Sequence, residues 1–195
     1  MILIGTIASS LLQNVDNGVM DPLPVITVGP SGASDVTFLN IPTTGYSHLQ
    51  LRIMSRDSRA VEANSLIMNV GNGSIDTGNN YNCHMFRGDG SSVTVGSVGT
   101  NYSNIGFAAE PGANALSSTF AVSIFDILDY ANTNKYKTVR NLGGYDLNGS
   151  GLLTVQSGLW MNTAAIDRIR FTCSGSGATF SQHSQFALYG IKGAA

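Results

Sequence analysis

Residues 47–55 read SHLQLRIMS, with Leu49, Leu51 and Ile53 on one parity and Gln50, Arg52 and Met54 on the other. Strict alternation of this kind is the pattern of a half-buried antiparallel strand, because successive side chains leave opposite faces. Residues 119–130, TFAVSIFDILDY, are apolar on both parities: Phe120, Val122, Ile124 and Leu128 against Ala121, Phe125 and Ile127. That predicts a central strand buried on both sides. The segment FSQHSQFALYGIK (180–192) reads likewise, with Phe180, Phe186 and Leu188 opposed to Tyr189 and Ile191.

Turn signals separate these runs: GNGS at 71–74, GDGSS at 88–92, NGSG at 148–151 and GSG at 175–177. Gly and Asn supply the positive φ that tight hairpins need. Pro22, Pro24, Pro30, Pro42 and Pro111 fall in or near expected loops, where a missing N–H does no harm. No stretch sustains a 3.6-residue period; one short helical turn is expected at Asn162–Asp167, capped by Asn162 or Thr163. The expected fold is all-β, an antiparallel β-sandwich of jelly-roll type with about ten strands. Residues 1–34 are assigned to a first strand followed by a Gly/Pro-rich arm or long loop, in which Val25–Val28 is the one stretch that reads as a strand, and residues 35–195 to the sandwich.

Composition agrees. The chain has 195 residues, 43% hydrophobic and only 11% charged, with 23 glycines and a net charge of −2. This is enough for one domain with a substantial core, too apolar for a disordered chain. Ten Lys and Arg against twelve Asp and Glu leave no clustered positive charge for nucleic acid. No apolar run is long enough to span a bilayer as a helix, and the apolar residues 1–18 lack the basic flank of a secretory signal.

The residues that could carry chemistry do not converge. His48, His84 and His183 lack ligand spacing, and His84 follows Cys83 on what should be opposite strand faces. Cys83 and Cys173 admit either a disulfide or two buried thiols. Asp146-Leu-Asn148-Gly-Ser150-Gly begins like a calcium loop, but Ser157 stands where the bidentate carboxylate belongs, so a hairpin on Asn148-Gly149 competes with a weak cation site. Asp126 and Asp129 are three apart on a strand and should diverge; pairing with Lys135, Lys137 or Arg140 is the simpler expectation. Lys135, Lys137 and Arg140 themselves read as a solvated strand face or a basic docking patch, and Trp160 as a core or interface anchor. No catalytic, cofactor or metal residues are assigned, and no enzymatic activity is expected.

The segments VTFLNIPTTGYSHLQLRI (36–53), IFDILDYANTNKYKTVRNLGGYDLNGSG (124–151), SGLWMNTAAIDRIRF (157–171) and FSQHSQFALYGIKG (180–193), with NYNCHMFRGDGSS (80–92), resemble a family of tailed-phage virion structural proteins. The resemblance covers most of residues 36–193. It implies a non-enzymatic capsid decoration or cement protein on the virion head, made in the bacterial host cytoplasm. The implied partners are copies of itself, as a homotrimer, and the major capsid protein, with no nucleic acid and no membrane. A tail-associated fibre, adaptor or receptor-binding module is the alternative. The arm is the departure from the family pattern, so it is expected to contact a neighbouring subunit, against the plainer reading of a surface loop. On apolar character in or beside the arm, the interface candidates are Ile2, Leu3, Ile4, Leu11, Leu12, Val25 and Ile26.

Overall fold

A computed structural model describes residues 18–193, and among them there is no helix. Thirteen strands follow in order: β1 (Met20–Thr27), β2 (Asp35–Phe38), β3 (His48–Ser55), β4 (Ala63–Asn72), β5 (Ser74–Ile75), β6 (Tyr81–Gly88), β7 (Val93–Tyr102), β8 (Ile105–Pro111), β9 (Ala121–Leu128), β10 (Lys137–Asp146), β11 (Gly151–Trp160), β12 (Arg168–Cys173) and β13 (Gln185–Ile191). They form two antiparallel sheets. The larger has eight strands in the order β1-β13-β3-β9-β10-β11-β6-β7; the smaller has the order β2-β12-β4-β5, with β8 also paired to β4. The chain is therefore an all-β sandwich. Thirteen strands replace the ten expected, and an eight-plus-five division differs from the two four-stranded sheets of a simple jelly roll.

The alternation at 47–55 sets the core. Leu49, Leu51 and Ile53 are buried on the inner face of β3, while Arg52 and Met54 are exposed. Phe125 and Ile127 of β9, Val139 of β10, and Phe186 and Leu188 of β13 continue that inner face. The smaller sheet answers with Val36, Phe38, Leu66, Met68, Val70, Ile169 and Phe171. Rings bridge the two sheets: Phe125 meets Phe171 at 5.4 Å, Phe171 meets Phe186 at 5.6 Å, and Phe186 meets Phe180 at 4.9 Å. The first and last pairs meet edge to face and the middle pair is tilted, and such contacts add to area burial.

Four local expectations change. Residues 20–27, assigned to the arm, form β1, an edge strand on β13. Pro22 and Pro24 are compatible with it because an edge strand has one unpaired side, and the register shifts between Pro22 and Val25. Phe180 is buried but precedes β13, which starts at Gln185 after a turn containing His183 at φ 74°. Residues 161–167 form no helical turn; Asn162 Oδ1 instead accepts the Ala164 N–H at 2.9 Å, a local alternative to helix. Finally, β9 is central in its sheet yet buried on one face only, since Val122 and Leu128 are exposed.

Phe171 stands between two of the bridging ring contacts. Phe171→Ala should lower the unfolding free energy by roughly 3–5 kcal/mol, read from urea denaturation, because the void lies between two sheets and can close only partly.

Candidate functional site

The feature that sets this fold apart is the outer face of the eight-stranded sheet. Two rows of cross-strand neighbours run over it. The first is Ile124–Leu142–Val155–Phe86–Val95, from β9 to β7. The second is Met54–Val122–Gly144–Leu153–Gly88–Val93, from β3 to β7. Leu142 is 52% exposed, Leu153 53% and Val95 73%, with Met54, Val122, Val155, Phe86 and Val93 also exposed. With strands ~4.8 Å apart and same-face residues ~6.8 Å apart, the two rows cover roughly 300–400 Å². A contiguous apolar surface of that order is the size of a typical monomer's largest patch, and such a patch is often the functional one.

A polar row bounds it: Gln50–Asp126–Arg140–Ser157–His84. Gln50 Nε2 donates to Asp126 Oδ1 at 2.9 Å, and Asp126 lies opposite Arg140 on the neighbouring strand. At the other end the rows open into a groove of about 650 Å³. Val122, Leu142 and Leu153 line it on the sheet side, and the hairpin loops around Asp89 and Asn148–Gly149 stand beside it. Gly144 has no side chain to fill the groove floor, and a Cβ there would meet the Leu152 carbonyl oxygen at 2.4 Å. The second hairpin is the one expected from Asn148-Gly149. Both residues have positive φ (61° and 120°), and Leu147 N–H donates to the Ser150 carbonyl at 2.7 Å. Asp146 Oδ1 accepts the Asn148 N–H at 2.8 Å, and Ser157 lies up β11, opposite Arg140.

Of the interface candidates, Val25 is exposed on edge strand β1. Ile26 is half-buried and packs against the core, opposite Phe186. Ile2, Leu3, Ile4, Leu11 and Leu12 lie outside the described residues.

The other polar candidates serve the fold. Lys137 sits on neither a solvated face nor a basic patch. It is fully buried, and its Nζ donates to the carbonyls of Asn132 at 2.6 Å, Lys135 at 2.8 Å and Thr163 at 3.0 Å. Asp129 pairs with Lys135 just beyond the end of β9, and its N–H donates to His48 Nδ1 at 2.9 Å. Trp160 is a core anchor whose Nε1 donates to Asp76 Oδ2 at 2.8 Å. Burial works against ionisation of Asp76, but the hydrogen bonds from Trp160, Asn80 and Gly78 outweigh it and hold the carboxyl below its ordinary value. Among the described residues no group of three His, Cys, Asp or Glu side chains could hold a metal ion. Cys83 and Cys173 are both buried, in different sheets, and no disulfide joins them.

One buried cluster was not legible in the sequence. Glu110 of β8 is fully buried, and its carboxyl oxygens lack well-formed hydrogen bonds. Burial pushes its pKa from 4.5 up to about 8; the Ser55 hydroxyl pulls the other way and the Asp57 carboxylate adds to the rise. Burial, with Glu110 and Asp57 nearby, also raises the Cys173 pKa, so that group stays a thiol rather than a nucleophile. Asp57 itself is fully buried and accepts from the Arg59 N–H at 3.0 Å and from Asn64. The thiol and the two acids thus meet in the interior, away from the groove.

No family model, curated protein or solved structure matches this chain.

Glu110 yields a signed pH dependence. Between pH 4.5 and about 8 the unfolded chain has lost this proton and the folded chain keeps it, so stability falls as pH rises across that window. Glu110→Gln should flatten that decline, gaining roughly 2–4 kcal/mol over the parent between pH 5 and 8. Chemical denaturation of both proteins at the two pH values measures it, and parallel pH curves would contradict the assignment.

Proposed function

We propose that this protein is a non-enzymatic structural component of a tailed-phage virion that works by binding other proteins, as a decoration or cement protein of the capsid. The observation that carries the reading is the pair of apolar rows on the outer face of the larger sheet. Five adjacent strands, β9, β10, β11, β6 and β7, place Ile124, Leu142, Val155, Phe86 and Val95 side by side, and no sheet of the described residues packs over them. Covering such a surface is favourable by about 25 cal/mol for each Å² of apolar area removed from water. Low charge supports the same reading, since like subunits repel weakly when they carry a net charge of only −2. A protein that binds the assembled shell and not its separate subunits stabilises the shell by mass action. The sequence resemblance to virion structural proteins supplies the setting.

A tail-associated adaptor or receptor-binding module is the second reading. The groove of about 650 Å³ at the end of the apolar rows favours it, because the loops around Asp89 and Asn148–Gly149 offer polar edges to a glycan.

Copy number separates the two. Purified particles of the encoding phage should show a 20.4 kDa band comparable in molar amount to the major capsid protein. A dozen or so copies per particle would favour the tail reading, and absence from particles would overturn both.

A further inference from the structure

We propose that the apolar rows on the outer face of the larger sheet are the seat for residues 1–17 of a second copy of this chain. The inference rests on the reading that the protein acts through contacts with other proteins, and it names the occupant of that surface.

Size argues first. A face of roughly 300–400 Å² is well short of the ~800 Å² per partner that a stable interface between two folded bodies buries. It is the right size for one extended segment laid across the strands. The chain holds one of matching chemistry. Residues 1–17 carry Ile2, Leu3, Ile4, Ile7, Leu11, Leu12 and Val15, and Asp16 is their single charge. They join the described domain at Gly18, next to edge strand β1, and can span at most ~60 Å when extended.

Polarity then favours a second copy over the same one. Gly18 leaves at β1, while the apolar rows begin two and three strands away, at β3 and β9, and end at β7, the opposite edge. Between them lie Tyr189, with the Arg52 guanidinium 5.5 Å from its ring centroid, and the Gln50–Asp126–Arg140 row. A segment folding back on its own subunit would lay Leu11 and Leu12 over this polar strip. A segment arriving from the β7 side meets Val93, Val95 and Phe86 first, with no polar strip to cross.

The test is the oligomeric state of the purified full chain by size exclusion with light scattering. The expected mass is a multiple of 20.4 kDa. Removing residues 1–17, or introducing Leu142→Glu, should reduce it to one copy. Leu142 is half exposed, so the second variant should keep the parent's circular dichroism spectrum and urea midpoint. The deletion stops at Asn17 because a longer one removes β1. Leu3→Cys combined with Val155→Cys should then give disulfide-linked chains on a non-reducing gel, since Cys83 and Cys173 are buried. A full chain that runs as a monomer, an oligomer that survives the deletion, or a cross-link closed within one chain would overturn the inference. A monomer still found on particles would overturn this inference alone and leave the proposed function standing.

Discussion

A β-sheet has two faces, and in this fold the second sheet covers only one face of the first. The rings of Phe125, Phe171, Phe186 and Phe180 lock the inner faces together, which commits the alternate residues of β9, β10, β11 and β6 to the outside. Usually that outer parity is polar. Here, across two rows, it is Val, Leu, Ile, Phe and Met, with Gly88 and Gly144 between them. The same pleat that builds the core therefore builds the apolar exterior, and neither can be changed in register without the other, because a slip of one residue exchanges the faces.

Polar groups at the interior and strand ends are used for closure. Lys137 ties the 129–136 connection to the 161–167 connection through three backbone carbonyls. Asp76 gathers the Trp160 indole, Asn80 and Gly78, and Tyr81 Oη donates to carbonyl oxygens of Val70 and Asp76. These contacts fix the loops that join the two layers. Glu110 is the exception, a buried acid with raised pKa that costs stability as pH rises.

The sequence made the layers legible and the coverage illegible. Alternation at 47–55 gives the inner face of β3 residue by residue, and Asn148-Gly149 gives its hairpin. In TFAVSIFDILDY, by contrast, apolar residues on both parities suggest a layer on each side. Alternation reports which side chains share a face, and it does not report whether anything packs on that face. Val25–Val28 reads as a strand, but residues 20–24 escaped because Pro22 and Pro24 obscure the first half of an edge strand. Lys137 escaped because its partners are backbone carbonyls, which leave no mark in a sequence. Glu110 escaped because a single acid between alanine and proline carries no pattern; only the packing of β8 against β4 reveals its burial. Of the candidate interface, Val25 is exposed and Ile26 half-buried against the core, a difference of one residue along a strand.

The central claim is that another protein covers the outer face of the larger sheet in the working assembly. Hydroxyl-radical footprinting followed by mass spectrometry tests it directly, comparing assembled particles with the isolated chain carrying Leu142→Glu. Strong protection of Phe86, Leu153 and Val155 in the particles, with Leu116 and Tyr136 labelled equally in both, is the result this account predicts. Equal labelling of Phe86, Leu153 and Val155 in the two samples would contradict it.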